Sequence, residues 1–525
     1  MDGTGSPLIA ALRSPDAYPH PVVTPIRVAE THISWVLLTG ELAYKVKKPL
    51  RLSFLDYSTL ERRRLCCEEE TRLNRRYAPD LYEGVAVVCG TPEAPRVDGT
   101  GPVIEYAVRM KQFDPAAELD ALLASSLVPP GELAELGRHI ARFHEVAAPV
   151  DAAESHGLPE RVHRVTLDNF TELLRLPESR QWSAQLDALE QWVNDRYAQS
   201  HALLRERRKA GRVRECHGDL HCGNVVRWQG TLVPFDGIEF DPALRYVDVV
   251  SDLAFLTMDL AARRRPALRH AVLQSWTEAS GDCAGLPLLP YFEVYRALVR
   301  GKVAALRAQQ APAHGADREG AIRDARRYLD WATTRTQRRP AALMLTCGLS
   351  GSGKTRLSRA LAAELDALHL RSDVERKRLA GLAPLEDSKS PPDAGIYTPD
   401  FNRRTYTRLL ECARAGLQGG ENVIVDAAFL RRSERMSLLA LARDMSAPAT
   451  ILHCQAPDDV LRRRVAARAD AKQDASEAGV AVLERQPGYW EEFDALELPH
   501  VLGVDTTATD AVQATAARLR STAAA

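Results

Sequence analysis

The sequence predicts an α+β half followed by an α/β half, the latter a parallel sheet flanked by helices. Three observations predict it. At 525 residues the chain is too long for one core, so two or three domains are expected. Gly348–Thr355 reads GLSGSGKT and fits G-x-x-x-x-G-K-[ST] at every fixed position; the short apolar run Ala342–Cys347 precedes it and the helically spaced RLSRALAAEL follows. Upstream, Cys216–Pro242 reads CHGDLHCGNVVRWQGTLVPFDGIEFDP, two short strands about a Gln229-Gly230 turn.

The totals exclude several classes. Lys plus Arg (69) nearly equals Asp plus Glu (70), so no overall basic charge points to nucleic acid or a membrane surface. No apolar run approaches the ~18 residues of a transmembrane helix. The N-terminal MDGTGSPLIA lacks the regions of a signal peptide. Nine scattered cysteines, an odd number, read as a reducing cytoplasm.

In chain order, residues 1–27 form an N-terminal extension rich in proline. Thr31–Gly40 and Glu41–Pro49 read as two strands about a Gly40 turn, with Lys45 and Lys47 on one face of the second. A strand lysine can hold nucleotide phosphates; the same pair would equally serve as solvated lysines guarding a sheet edge. Leu60–Tyr77 is a charge-laced helix from which Glu68, Glu69 or Glu70 could face the strand lysine. We assign Glu69, with i,i+4 surface pairing as the competing role for any one of them. Val85–Gly90 and Gly101–Met110 read as further strands, completing a β lobe over about 28–112. The pattern is then helical over about 113–335, with segments at Leu133–Val146, Trp182–Lys209, Phe292–Arg307 and Ala321–Thr334. The basic run Arg205–Arg214 reads as a solvated helix end.

Within the hairpin region, His217, Asp219, Leu220 and Asn224 keep the spacing of H-R-D-L-x-x-x-N, and Phe235–Gly237 reads FDG. Folding at Gln229-Gly230 brings Asn224 and Asp236 almost opposite each other, a carbonyl oxygen beside a carboxylate, which suits Mg²⁺ and a nucleotide phosphate. Asp219, on the loop before the first strand, would face the same point and deprotonate a hydroxyl nucleophile. Cys216, His217, His221 and Cys222 lack C-x₂-C spacing and a second ligand pair, which disfavours zinc. Asp241 is an additional metal or loop candidate, whereas Asp248 and Asp252 fit capping and core hydrogen bonding.

Thr336–Pro340 is a short connection into the second half, 340–525. There the glycine loop turns backbone N–H groups onto phosphates, with Gly348, Ser350, Gly351, Ser352, Gly353, Lys354 and Thr355 assigned to the nucleotide. Lys354 would reach the β- and γ-phosphates, and the Thr355 hydroxyl would sit on Mg²⁺. Leu368–Asp373 and Glu421–Leu430 are strands bearing Asp373 and Asp426 at their carboxyl ends, where an open parallel sheet binds ligands. Asp373 also suits a helix N-cap. Asp426 would hold the Mg²⁺ water shell or contact substrate. Asp459–Ala478 is an arginine-rich helix and loop on which Arg464 and Arg468 share a face and could clamp transferring phosphates; Asp474, Ser476 and Glu477 follow.

HGDLHCGN with FDG resembles the aminoglycoside phosphotransferase and choline kinase superfamily over about 28–335. The resemblance implies a bilobal protein-kinase-like fold, with Asp219 as catalytic base, Asn224 and Asp236 as Mg²⁺ ligands, and Lys45 as the phosphate lysine, Lys47 being the alternate. The departure is that no glycine-rich loop precedes Lys45, where Gly40 stands alone. GLSGSGKT, LRSDVERKRL, VIVDAAFL and RRRVAAR–DASEA resemble P-loop small-molecule and polynucleotide kinases, including zeta-toxin-like kinases, over about 340–525. That resemblance implies a P-loop NTPase fold in which Asp373 activates the acceptor hydroxyl and the lid arginines steady the phosphates. The order of the halves resembles a bacterial family of two-domain kinases. The leading expectation is a bifunctional enzyme using ATP and Mg²⁺ on small-molecule hydroxyls. A second is a nucleotide-driven regulator in which the P-loop half gates or senses for one kinase half. A third is a protein or nucleic-acid kinase, against which stand the near-neutral charge and the lack of an RNP, helix-turn-helix or zinc module. Asp219, Asn224 and Asp236 occurring together argue against a silent first half.

Overall fold

The computed structural model describes residues 6–52, 55–125, 128–310, 315–337, 341–391, 394–471 and 474–524. The chain divides into two compact units, Met1–Arg164 with Leu203–Asp259, and Val165–Ala202 with Leu260–Ala525. The helical stretch is therefore shared between them. Residues 338–340 of the connector lie outside the described residues.

The first unit is built on an antiparallel sheet of β1 (Arg27–Glu30), β2 (Ser34–Leu38), β3 (Leu42–Lys47), β4 (Tyr82–Thr91), β5 (Ala94–Val97) and β6 (Val103–Lys111), in the order β1-β2-β3-β6-β4-β5. β3 is interior, with Lys45 opposite Val36 on β2 and Val108 on β6. Its alternation divides the strand cleanly. Tyr44 and Val46 enter a core with Leu37, Val88 and Ala107, while Lys45 and Lys47 point to the other face. That face carries α1 (Leu60–Asn74), whose Thr59 hydroxyl caps the N-terminus by accepting from the Arg62 N–H. The predicted hairpin forms as β7 (Val225–Trp228) and β8 (Thr231–Pro234), Val225 opposite Pro234 and Trp228 opposite Thr231. Gln229 (φ 49°) and Gly230 (φ 82°) both take positive φ, the two-residue turn that matches strand twist. α2 (Pro130–Val146) places His144 against the buried Asp252, which α3 (Val249–Ala262) supplies to the loop before β7.

The second unit holds a five-stranded, all-parallel sheet. Its strands are β9 (Leu343–Cys347), β10 (Ala367–Arg371), β11 (Asn422–Asp426), β12 (Ala449–Gln455) and β13 (Val501–Asp505), ordered β10-β11-β9-β12-β13. β9 is buried along its whole length, as a central parallel strand covered on both faces must be. Strand order reverses at β9, so the crevice at its carboxyl end is the natural ligand site. The helices preceding β9 are part of this unit's interior. α4 (Pro266–Ser280), α5 (Leu289–Gln310) and α6 (Ala316–Thr336) contribute Arg269, Glu293 and Arg335 to a buried four-charge network closed by Glu421 at the foot of β11. Arg269 donates to Glu421 at 3.0 and 2.8 Å and to Glu293 at 3.2 and 3.0 Å; Arg335 donates to Glu293 at 2.7 Å and Glu421 at 3.1 Å. Two cations against two carboxylates leave no uncompensated charge in this interior.

Candidate active sites

Site 1 lies in the first unit. Both strand lysines are buried, Lys47 completely, so they are not the solvated edge lysines that the sequence left open. Their common partner is Glu70: Lys45 Nζ donates to Oε1 at 2.9 Å and Lys47 Nζ to Oε2 at 2.6 Å. Glu69 is the correction. One residue around the helix, it turns away and pairs with Arg72 at 2.7 Å and Arg245 at 2.7 Å. Lys45 also donates to Asp236, the FDG aspartate. Lys47 reaches Glu239 and the Tyr57 hydroxyl, a buried set that marks it as structural support behind Lys45. Burial alone would lower the lysine and raise the glutamate; the opposed charges outweigh it, so Lys45 titrates high and Glu70 low.

The loop before β7 converges on the same place. Asn224 Nδ2 donates to Asp219 Oδ2 at 3.0 Å and to the Asp219 carbonyl at 3.0 Å. The Phe235 N–H donates to the Asn224 carbonyl at 3.0 Å, which sets Asn224 across from the FDG turn as the hairpin argument requires. Asp236 sits at φ 60°, held where its N–H donates to the Tyr82 hydroxyl at 3.1 Å. The Gly237 N–H donates to Asn74 Oδ1 at 2.8 Å. The His217 ring is fully engaged: Nδ1 accepts the Asp219 N–H at 3.3 Å and Nε2 lies 2.9 Å from the Phe235 carbonyl, which places the proton on Nε2. Burial pushes the His217 pKa down. Asp252 accepts the Gly218 N–H at 2.8 Å and lies 3.1 Å from His144 Nε2, the core hydrogen bonding expected of it. Asp241 accepts the Ala243 N–H and caps a short helix, so it acts as a loop residue. The four Cys/His side chains do not converge. Cys216 lies with His144 and Asp252, Cys222 with Asp120 and Asp259, and Asp252 and Asp259 both accept loop N–H groups.

Site 2 lines a cleft of about 1700 Å³ in the second unit. Gly351 (φ 81°) packs so closely that a Cβ there would meet the Leu461 carbonyl oxygen at 2.6 Å. Lys354 opens α7 (Lys354–Leu365) and curls back to donate to the Gly348 and Leu349 carbonyls, both at 2.8 Å; burial lowers its pKa. Asp426 ends β11 beside the loop. It accepts from the Thr346 hydroxyl at 3.4 Å and lies 3.1 Å from His369 Nε2. Burial would raise Asp426; His369, Arg371 and Thr355 more than reverse it, so it stays ionised. Asp373 lines the same cleft as the second residue of α8 (Ser372–Leu379). β10 stops at Arg371, which occupies the N-cap position that the sequence left as the alternative role for Asp373. Arg464 and Arg468 sit on α9 (Asp458–Ala471) and line the cleft. Arg464 donates to the Gly351 carbonyl at 3.3 Å and Arg468 to the Ala478 carbonyl at 2.7 Å. Asp474 accepts from Arg371 at 2.8 Å, the Ser476 N–H donates to Asp474, and Glu477 pairs with Lys377 at 3.0 Å, which fastens this loop along α8 from its N-cap to its last turn.

In site 1 Asp236 follows Phe235, whose N–H donates to the Asn224 carbonyl, and in site 2 Asp426 and Thr355 line one cleft. All-oxygen donor sets of this kind suit a hard cation such as Mg²⁺. Sequence reasoning missed Tyr57, Glu239, Tyr82, Asn74 and His369. Asn74, four residues after Glu70 on α1, would have been the usable signal, because the two share a face.

A family model described as an AAA domain matches residues 343–493. The chain is 30% identical over 474 residues to "Uncharacterized protein Rv2004c" of Mycobacterium tuberculosis, covering 90% of this chain and 92% of that protein, and equally to "Uncharacterized protein Mb2027c" of Mycobacterium bovis. Among solved structures it is similar to a choline/ethanolamine kinase family protein from Mesorhizobium loti, at 12% identity over 63% of this chain and 99% of that one, TM-score 0.36. It is also similar to a sugar kinase from Janibacter sp., at 19% identity over 34% of this chain and 95% of that one, TM-score 0.27.

Proposed function

The chain belongs to the same protein family as these mycobacterial relatives, and from that premise we propose that it is a phosphotransferase with two sites, each passing the γ-phosphate of ATP to a hydroxyl of a small molecule. One observation carries the reading. Each unit brings together a lysine, a carboxylate and a further aspartate: Lys45, Asp236 and Asp219 in one, Lys354, Asp426 and Asp373 in the other.

In site 1 Asp219 takes the acceptor's proton as the hydroxyl oxygen bonds to the γ-phosphorus. The bond from that phosphorus to the β–γ bridging oxygen breaks, and ADP leaves. Asn224, donating to Asp219 Oδ2, keeps the carboxylate aimed. Lys45, steadied by Glu70, binds the α- and β-phosphates. In site 2 Asp373 takes the proton, Lys354 exchanges loop carbonyls for phosphate oxygens, and Arg464 and Arg468 steady the transferring group. Asn224 and Asp236 in one site, and Thr355 and Asp426 in the other, would hold Mg²⁺, which would supply positive charge to offset the negative charge gathering on the β- and γ-phosphates. Among the described residues no helix is long and apolar enough to cross a membrane. Nine cysteines without disulfides suit a cytoplasmic enzyme.

The test supplies γ-labelled ATP, Mg²⁺ and a fractionated bacterial metabolite extract to the wild type, Asp219→Ala and Lys354→Ala. Two sites in use means each variant loses a different labelled product, or Lys354→Ala halts a step after the Asp219-dependent one. If no small molecule takes label and Lys354→Ala alone stops phosphate release, the chain is a nucleotide-driven switch instead.

A further inference from the structure

We propose that His369 is a positioning residue for Asp426, and that Gln274 on α4, a helix upstream of the phosphate loop, sets His369 by its backbone. The proposal rests on reading Asp426 as the Mg²⁺-side carboxylate of site 2.

β10 is an edge strand of the parallel sheet, paired with β11 on one side. In an extended strand the N–H and C=O of one residue point to the same side, so an edge leaves such pairs needing partners. His369 directs both to Gln274. Its N–H donates to Oε1 at 2.8 Å, and its carbonyl accepts from Nε2 at 3.0 Å. A primary amide presents a donor and an acceptor side by side, so Gln274 stands in for one residue of a missing neighbour strand.

With the backbone clamped, the buried ring has a fixed aim: Nε2 lies 3.1 Å from Asp426 Oδ2. The other oxygen faces the Thr346 hydroxyl at 3.4 Å. Rotation of the Asp426 carboxylate is therefore held from both sides. α4 is itself fastened to the unit it serves. Arg269 grips Glu421 at the foot of β11, the strand that carries Asp426. Beyond the helix's other end, the Gly281 carbonyl accepts from Arg408 at 2.6 Å. One helix thus touches the base of the Asp426 strand and the backbone of the residue that orients Asp426.

The full-length chain is titrated with Mn²⁺ by electron paramagnetic resonance in the presence of a non-hydrolysable ATP analogue. Nucleotide binding in chelator and thermal unfolding are followed in parallel. Asp426→Asn defines which class of Mn²⁺ sites belongs to site 2. His369→Ala is expected to weaken that class about 10-fold, the scale on which residues behind a metal ligand act, with metal-free nucleotide binding unchanged. Gln274→Ala should shift it less and in the same direction, and His369→Gln, which keeps a donor, should recover part of the loss. The proposal is overturned if His369→Ala leaves that class unchanged, or weakens metal-free binding equally. If His369→Ala does not fold, Gln274→Ala decides on the same two criteria. If Asp426→Asn removes no Mn²⁺, the reading of Asp426 itself fails, an outcome distinct from the failure of His369 alone.

Discussion

The two lysines proposed to hold phosphates are kept in opposite ways. Lys45 is set between carboxylates, Glu70 and Asp236, and its charge is compensated before any nucleotide arrives. Lys354 rests on neutral carbonyls of its own loop. The electrostatics follow: Lys45 titrates above its ordinary value because the carboxylates outweigh burial, and Lys354 below it because burial prevails. Site 1 is thus woven into the stability of its unit, while site 2 is a local device whose charge awaits a ligand. Substitutions in the first should be felt in folding, and in the second chiefly in catalysis.

The largest expected effect is at Glu70. Glu70→Ala leaves two buried ammonium groups facing each other without their shared carboxylate, a loss of about 3–5 kcal/mol by urea unfolding. Glu69→Ala breaks a pair with the half-exposed Arg72 and one with the buried Arg245, which keeps Glu215, and should cost clearly less than Glu70→Ala. Equal losses would mean that the woven network is no more than surface pairing. Next comes Lys354→Met. Removing a buried cation that rests on carbonyls should leave the unfolding midpoint unchanged or raised, while turnover at site 2 falls about 10²–10³-fold. Lys45→Met should lose both turnover at site 1 and stability. A destabilised Lys354→Met would erase the contrast.

The same contrast explains what could be read from the chain. The glycine loop is contiguous, so Gly348–Thr355 announced itself, as did the hairpin, whose turn and strands adjoin. Strand ends likewise pointed to Asp426. Partners brought from far along the chain did not show. Lys45 and Glu70 are 25 residues apart, Lys47 and Glu239 are 192 apart, and only tertiary packing joins them. The wrong glutamate was chosen on α1 because Leu65, Cys66 and Cys67 spread apolar residues around the helix and define no single inner face. His369 was invisible for a related reason: a histidine in a buried strand reads as core until its neighbour strand is known. The closing of Arg269 and Arg335 onto Glu421 likewise joins residues that are 152 and 86 apart.

A third, smaller effect separates the glycines. Gly351→Ala must both hold positive φ and push its Cβ against a carbonyl oxygen at 2.6 Å, costing about 1–3 kcal/mol and reshaping the phosphate loop. Gly230 has nearly the same φ at the hairpin turn with nothing near its Cβ position, so Gly230→Ala should cost only the strain at φ, about 1–2 kcal/mol and less than Gly351→Ala, and spare both activities. Paired thermal melts and turnover assays would check this, and equal costs would show that strain at φ, not the close approach, governs the loop.

The smallest effect concerns acid, and it should reach site 1 first. His217 is buried and its pKa lies below the ordinary value near 6.5. As pH falls through that value the unfolded chain takes up a proton that the folded chain refuses, so stability declines on acidification from about pH 6.5 downward. The carboxylates Glu70, Asp252 and Asp426, whose pKa values are lowered, contribute stability that persists above about pH 4 and disappears only below it. Once protonated, His217 has no acceptor left for the Asp219 N–H, so the loop that carries the proposed base loosens. Site 2 has no such histidine beside Asp373 among its cleft-lining residues. Unfolding midpoints of wild type and His217→Gln between pH 8 and about 5 should therefore converge as pH falls. Turnover at site 1 should fall before turnover at site 2, and parallel declines would remove His217 as the cause.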